Sequence, residues 1–166
     1  AIAALERERP RVVVLTQNVD GLHRAAGSEN VIEIHGDVHE LSCTRCPWRE
    51  RVPDYVGLEL PPRCPRCSAL VRPAVVLFGE MLPRAALERL DEELRTGFDA
   101  VFSIGTTSVF PYIAAPVLMA RSRGAATVEV NPGETEVSDA VDVRLRCGAA
   151  AAMDALLADA SRGNLR

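Results

Sequence analysis

The sequence predicts an α/β fold built on a doubly wound parallel sheet, which a small insert interrupts. Short runs rich in β-branched residues alternate with segments of helical spacing, the pattern of parallel strands joined by helical crossovers. Several of these runs end abruptly in polar or glycine-rich residues. Residues 37–72 break the pattern with four cysteines, five prolines and the only tryptophan, and we interpret them as an insert.

The individual elements follow from these runs. Asp20 and Gly27 are suited to cap a short helix, and Pro83 and Gly97 to begin and end a longer one. The predicted strands are 12–16, 31–34, 100–104, 126–130 and 141–145, with a further extended apolar run at 74–78. The predicted helices are 1–9, 20–26, 83–97, 112–123 and 149–160.

Composition limits the classes of protein to consider. With 166 residues, 48% apolar and 25% charged, the chain has the size and composition of one globular domain with a small insert. The net charge of −4 argues against binding to duplex nucleic acid, which usually needs a basic face. No apolar run approaches the ~20 residues of a membrane span. No targeting signal is visible, and we expect a cytoplasmic protein of bacterial type.

The first residues suggest that upstream elements are missing. Ala1 is not a start methionine, and residues 1–9 have the character of a helix that is already under way. We therefore expect the sheet to be incomplete at its amino end.

The strongest single motif is a pair of Cys-x-x-Cys sequences. Two such turns supply the four thiolates that a tetrahedral structural zinc requires, with no position left for water. Two disulfides or a redox pair are the alternatives. The expected zinc ligands are Cys43, Cys46, Cys64 and Cys67, while Cys147 is left over.

Polar side chains follow the first two predicted strands. Gln17, Asn18 and Asp20 come directly after the first, and His35 after the second. Parallel sheets bind ligands at the carboxyl ends of their strands, and histidine suits proton transfer near neutral pH. The alternative is a pair of ordinary loops with capping residues, because Asn and Asp are common in turns.

A second pair of loops follows two later strands. The small residues of Gly105-Thr106-Thr107-Ser108 could let backbone amides approach an anion at the start of the next helix, and Asn131 ends the next strand. Both could also be simple turns. Neither of the common glycine-rich nucleotide motifs, G-x-G-x-x-G and G-x-x-x-x-G-K-[ST], occurs in the sequence.

In combination these motifs resemble the sirtuins, the NAD-dependent protein lysine deacylases, over about residues 11–160. The resemblance rests on TQNVDGLH, IHG, the two Cys-x-x-Cys pairs, RPAVVLFGE, GTTS and EVNP, in that order. It implies a Rossmann-like NAD-binding domain made of residues 1–36 and 73–166, with a zinc-binding insert at 37–72.

The resemblance also implies roles for single residues. His35 matches the general base that acts on a ribose hydroxyl of NAD, and Val76 and Phe78 would accept the acyl-lysine amide and wall its tunnel. Residues implied to bind NAD are Gln17, Asn18, Asp20, Gly105, Thr106, Thr107, Asn131, Pro132, Gly133 and Ala149. The segment implied to pair with the substrate peptide is Val76, Leu77, Phe78 and Gly79.

The implied activity transfers an acyl group from a protein or peptide lysine to ADP-ribose and releases nicotinamide. Whether the enzyme is of the deacetylase or the desuccinylase type stays open. The family's glycine-rich loop and its Tyr/Arg pair are absent, so we expect this chain alone to bind NAD poorly and to be weakly active or inactive. Two alternatives are a zinc-stapled module that binds acyl-lysine peptides without turnover and an NAD-dependent ADP-ribosyltransferase.

Overall fold

A computed structural model describes residues 1–161, with side chains described to residue 158. The chain divides into two compact units. The amino-terminal unit is Ile2–Leu90, and the carboxyl-terminal unit begins at Asp91.

The amino-terminal unit opens with a short parallel sheet. Its first elements are α1 (Ile2–Glu8), β1 (Val14–Thr16), α2 (Leu22–Ala25) and β2 (Val31–Glu33). β1 and β2 pair in parallel, with Val14 opposite Val31 and Thr16 opposite Glu33. Val31 and Ile32 are almost fully buried, as expected for the apolar strands of a parallel sheet. Both strands predicted here are confirmed, and both are shorter than the apolar runs.

An antiparallel sheet occupies most of the rest of this unit. It contains β3 (Gly36–Cys43), β4 (Arg49–Arg51) and β5 (Val71–Val75), in the order β4-β3-β5. The buried side chains of Leu41, Cys64 and Val71 form its core. Trp48 and Leu58 pack against this core. The insert is therefore held together by its own small core.

β5 differs from the extended run predicted at 74–78. The strand is Val71–Val75, and a turn follows at Phe78 and Gly79. The predicted run was wrong because it followed the apolar residues, whereas strand pairing sets the ends of the strand. β5 ends where its partner β3 begins, at the pair Gly36–Val75. Pro73 lies inside the strand beside a register shift in the pairing with β3, where a missing backbone donor is tolerated.

Gly36 is the point at which β3 and β5 approach most closely. Its φ is +83°, and a Cβ added there would lie 1.9 Å from the carbonyl oxygen of Ala74. No side chain fits this geometry, so the glycine after His35 is required by the fold.

The carboxyl-terminal unit holds a second parallel sheet. Helix α3 (Arg84–Thr96) contains the boundary between the units. Then follow β6 (Ala100–Ile104), α4 (Pro111–Ser122), β7 (Ala126–Val130), a 3₁₀ turn (Ser138–Ala140), β8 (Val143–Leu145) and α5 (Ala149–Ser161). The strands pair in parallel in the order β6-β7-β8. Alternating helices and parallel strands confirm the predicted fold class.

The two parallel sheets, β1-β2 and β6-β7-β8, are separate sheets. Among residues 1–161, no further strand pairs with β1 or with β6. No helix in the described part of the chain combines the length and the apolar character needed to cross a membrane.

Candidate active site

The polar residues after β1 and β2 leave the sheet at the same edge. Thr16 and Glu33 are the last paired residues of the two parallel strands, so Gln17 and His35 follow at neighbouring positions. The Ile34 amide donates to the Thr16 carbonyl over 3.1 Å, which extends the pairing to the start of the site. The structure thus brings Gln17 and His35 together at this edge, and Asn18 follows Gln17 on the same loop.

The ring of His35 is oriented by a backbone carbonyl. Its Nδ1 lies 3.2 Å from the carbonyl oxygen of Gln17. A carbonyl can only accept, so Nδ1 is the donor in this hydrogen bond. The side chain is half-buried. The hydrogen bond therefore fixes the orientation of the imidazole ring at the edge of the sheet.

Asn18 and Asp20 are exposed on the loop that follows β1. The buried Thr16 hydroxyl accepts a hydrogen bond from the backbone amide of Asn18 over 3.1 Å and fixes the start of this loop. Asp20 Oδ1 accepts from the Leu22 amide over 3.1 Å. Asp20 was predicted as the N-cap of α2; that position belongs to Gly21, whose left-handed φ of 69° turns the chain into the helix. The Asp20 side chain still satisfies the first free amide.

The predicted substrate segment begins directly beside His35. The Val76 amide donates to the His35 carbonyl over 2.8 Å, so this segment leaves β5 alongside the candidate base. Leu77 is 55% exposed and the Phe78 side chain is fully exposed. Two large apolar side chains on one exposed turn form a surface suited to bind an apolar ligand.

An ion pair between Arg72 and Glu80, which lie on either side of this turn, holds its two ends together. Arg72 Nη2 donates to Glu80 Oε2 over 3.0 Å and to the Val75 carbonyl over 2.7 Å. Glu80 Oε2 also accepts from the Leu77 amide over 2.9 Å. Hydrogen bonds from the Arg72 guanidinium and the Leu77 amide lower the pKa of Glu80 to about 2. The exposed turn is therefore held in one conformation by charged groups at its two ends.

The carboxyl-terminal unit brings together the second set of predicted residues. Ile104 pairs with Val130, so Gly105 and Asn131 leave their strands side by side. Asn131 Nδ2 donates to the Thr106 carbonyl over 3.1 Å, and Asn131 Oδ1 accepts from the Gly133 amide over 3.0 Å. The loops containing Thr106 and Asn131 are thus directly connected.

Ala149 belongs to the same edge of this sheet. It is the first residue of α5, shortly after β8, whose Leu145 pairs with Val130. Ser108 ends the loop that begins at Gly105 and is buried in a left-handed conformation with a φ of 55°. Its hydroxyl lies 3.3 Å from that of Ser103. A serine in this conformation is uncommon and indicates a tightly constrained loop.

The four cysteines of the insert form one cluster. Their sulfur atoms all lie within 4.8 Å of one another, with 3.5 Å between Cys43 and Cys67 and 3.6 Å between Cys46 and Cys64. Tetrahedral zinc with Zn–S bonds of about 2.3 Å separates its sulfurs by about 3.8 Å, and a disulfide needs about 2.05 Å. The arrangement fits a four-thiolate structural zinc and not two disulfides.

The electrostatics of this cluster also favour a metal. Hydrogen bonding from the Ala69 backbone, together with the neighbouring thiols and Arg45, lowers the pKa of Cys67 to about 6. The Trp48 backbone lowers the pKa of Cys46, but burial and the three nearby thiols raise it to about 12. Four thiolates this close repel one another unless a cation lies between them, so zinc binding releases protons.

Comparison with known proteins identifies the family. The model of the Sir2 family matches residues 1–111 of this chain. The chain belongs to the Sir2 family, the sirtuins. The matched region includes His35 and all four clustered cysteines.

Curated sirtuins from bacteria are close relatives. The chain is 51% identical over 160 residues to NAD-dependent protein deacylase 2 of Pseudomonas syringae pv. tomato, covering 95% of this chain and 64% of the relative. It is 44% identical to an NAD-dependent protein deacylase of Methylococcus capsulatus, with the same two shares covered. The chain therefore spans about three-fifths of the length of the relatives it matches.

Solved sirtuin structures share its fold. A Sir2 homologue in complex with NAD is 38% identical, with a TM-score of 0.86 over 97% of this chain and 62% of that chain. A variant of a Sir2 homologue in complex with ADP-ribose is 37% identical, with a TM-score of 0.91 over 99% of this chain and 66% of that chain. A sirtuin bound to a propionylated peptide is 33% identical, with a TM-score of 0.85 over 96% and 68%.

The structure of this sirtuin also adds residues that sequence reasoning missed. Thr16 orders the loop of Asn18, and Arg72 and Glu80 clamp the exposed turn. The opposite charges on either side of the run at 73–79 were a signal in the sequence. Their pairing could not be recognised without knowing that the run contains a turn.

Proposed function

We propose that this chain belongs to an NAD-dependent protein lysine deacylase. The enzyme would transfer an acyl group from lysine to ADP-ribose and release nicotinamide. The observation that carries the proposal is the carbonyl of Gln17 holding Nδ1 of His35, so that Nε2 can accept a proton at the carboxyl edge of β1 and β2.

His35 is the proposed general base. The acyl oxygen of the substrate would attack the ribose carbon that bears nicotinamide, and nicotinamide would leave with the bonding electrons. His35 Nε2 would then take up a proton from the ribose and so activate the 2′-hydroxyl through its neighbouring hydroxyl, and the 2′-oxygen would attack the acyl carbon. Water finally releases the lysine and leaves the acyl group on ADP-ribose. A neutral imidazole is suited to this step near neutral pH.

The remaining predicted NAD contacts fall into two groups. Gln17, Asn18 and Asp20 would line the nicotinamide and ribose side; the Gln17 carbonyl contacts His35, and Asn18 and Asp20 lie on the same loop. The loops at 105–107 and 131–133, with Ala149, would contact the nucleotide side. This assignment is supported by position: the two loops and Ala149 all follow the carboxyl ends of parallel strands, where sheets of this class bind ligands.

The turn after β5 is the proposed binding site for an acyl-lysine peptide. The backbone amide of Val76 donates to the His35 carbonyl. The backbone carbonyl of Val76 would accept a hydrogen bond from the N–H of the acyl-lysine. Phe78 would cover the acyl chain, and Leu77 and Gly79 would extend the strand-like contact with the peptide.

The proposed domain division is residues 1–36 and 73–166 for NAD binding and 37–72 for zinc. The separate antiparallel sheet and core around the cysteine cluster support it. Four zinc-binding thiols with disulfide-free geometry suit a reducing compartment, and we propose a cytoplasmic location. Because the chain spans about three-fifths of the length of its relatives, we further propose that the chain alone binds NAD weakly and is weakly active or inactive.

The test is NAD-dependent release of nicotinamide from an acyl-lysine peptide by the full-length protein. His35→Ala should reduce turnover at least about a hundredfold, as expected for a lost general base. His23→Ala, in helix α2, is the matched control and should keep activity near that of the wild type.

Other outcomes separate the alternatives. Undiminished turnover by His35→Ala would rule out the proposed base. Peptide binding without nicotinamide release, in the wild type, would favour a binding module. Transfer of label from NAD to a protein acceptor, with the acyl group left on lysine, would favour an ADP-ribosyltransferase.

A further inference from the structure

A nearly fully buried carboxylate lies in the middle strand of the carboxyl-terminal sheet. Glu129, in β7, is 1% exposed. Acidic side chains are almost never buried to this degree unless they are paired. The groups that pair with Glu129 therefore show which part of the fold its charge holds in place.

Glu129 collects hydrogen bonds from the segment that follows its own strand. The hydroxyl of Thr135 donates to Oε1, and the hydroxyl of Ser138 donates to Oε2 over 2.7 Å. Arg144 Nε, from β8, donates to Oε2 over 3.0 Å. Burial alone would raise the pKa of Glu129, but these hydroxyls and the guanidinium lower it, so the carboxylate is charged.

This network closes the loop that contains Asn131. The chain leaves β7 at Val130 and returns to Glu129 through Thr135, so residues 131–134 are fixed at both ends. Arg144 Nη2 also lies within hydrogen-bonding distance of the Gly133 carbonyl, at 3.4 Å. Three contacts with β7 and β8 therefore hold a loop that is itself exposed at positions 132–134.

The loop in turn supports the neighbouring loop at Gly105. Asn131 Nδ2 donates to the Thr106 carbonyl, and the Glu136 amide donates to the Thr107 carbonyl over 3.1 Å. The contacts of Glu129 thus extend, through one short segment, to both loops assigned to the nucleotide.

We propose that Glu129 is a positioning residue that holds the Asn131–Gly133 loop in the conformation that binds the nucleotide of NAD. This inference rests on the proposed function. Glu129 does not touch the nucleotide itself; it acts through Thr135, Ser138 and Arg144. Without the charge, the loop would populate its binding-competent conformation less often and weaken the apparent affinity in proportion.

The test is steady-state kinetics of the full-length protein with varied NAD and with varied acyl-lysine peptide. Glu129→Gln keeps the volume and removes the charge that pairs with Arg144. It should raise KM for NAD about tenfold, as expected if the competent loop is populated about a tenth of the time. The kcat and the KM for peptide should each stay within about twofold, because residues that form the peptide turn are not in this network.

Two further variants control for charge and for shape. Glu88→Gln removes an exposed carboxylate that pairs with Arg84, outside this network, and should leave KM for NAD unchanged. Thr135→Val removes the hydroxyl that donates to Glu129 and should raise KM for NAD. Thr135→Ser keeps that hydroxyl and should keep KM for NAD at the wild-type value. This pair also serves as the test if Glu129→Gln does not fold.

The outcomes distinguish the inference from the proposed function. An unchanged KM for NAD in Glu129→Gln or in Thr135→Val would overturn the inference while the deacylase assignment stands. An equal loss in kcat and in both KM values would mean a merely structural role and would also overturn it. If the wild type shows no turnover, calorimetric binding of ADP-ribose decides. Weaker binding by Glu129→Gln than by Glu88→Gln supports the inference, and equal or absent binding refutes it.

Discussion

At the scale of single residues, Gly36 links the fold to the candidate base more directly than any other position. It follows His35, and its φ of +83° and its contact with Ala74 both exclude a side chain. Because the Val76 amide binds the carbonyl of His35, a displaced β5 would also disturb that histidine. The glycine therefore serves strand packing and the site at once.

Gly36→Ala should lower the free energy of unfolding by roughly 3 kcal/mol or more, from the left-handed backbone and the clash together. Gly27→Ala is the matched control, because Gly27 has a φ of +94° but nothing within 4 Å of an added Cβ. It should cost about 1 kcal/mol. Urea unfolding of the three proteins measures both values. Equal losses would show that the contact with Ala74 relaxes without cost.

At the scale of elements, the turn after β5 depends on charge and not on packing. Arg72 and Glu80 hold it, although Leu77 and Phe78 supply its apolar surface. The lowered pKa of Glu80 gives the sign of the pH dependence. The folded pKa lies below the ordinary value, so the clamp stabilises the turn fully above the ordinary pKa of a glutamate and weakens as pH falls towards about 2.

We expect the Glu80 carboxyl to titrate with a midpoint near 2, observable by carbon NMR of the side chain. Arg72→Gln should move that midpoint back towards the ordinary value of 4.5. Arg84→Gln is the control, because it breaks a different exposed ion pair, with Glu88, and should leave Glu80 unaffected. A Glu80 midpoint that does not respond to Arg72→Gln would show that the clamp does not form in solution.

The same elements show how far sequence reasoning reaches. Short runs rich in β-branched and apolar residues located β6 and β7 at their observed bounds. β4 was missed, because all three of its residues are charged and only its pairing with β3 defines it. His35 and Asn131 were found as polar ends of strands. Glu129 and Arg72 were not, because their roles depend on partners elsewhere in the fold.

At the scale of the whole molecule, two compact units differ in what holds them together. Parallel pairing and buried aliphatic side chains such as Val130 and Val137 support the carboxyl-terminal unit. In the amino-terminal unit the antiparallel sheet has only three fully buried core residues, one of which is Cys64 itself. A core this small usually needs a metal or a disulfide to be stable, and the sulfur geometry identifies a metal.

We therefore expect purified protein to contain about one zinc per chain, and Cys64→Ser to lose it. Cys147→Ser is the matched control, since Cys147 lies outside the cluster, and it should keep the metal.

Removal of zinc by a chelator should abolish hydrogen-exchange protection of the amides in β3, β4 and β5, because these strands pack on the cysteine core. Amides of β6 and β7 should stay protected, since their strands are held by parallel pairing within the other unit. Retained protection in β3 after complete zinc removal would mean that the insert folds without metal. Loss of protection in all strands together would instead show that zinc stabilises both units through one cooperative transition.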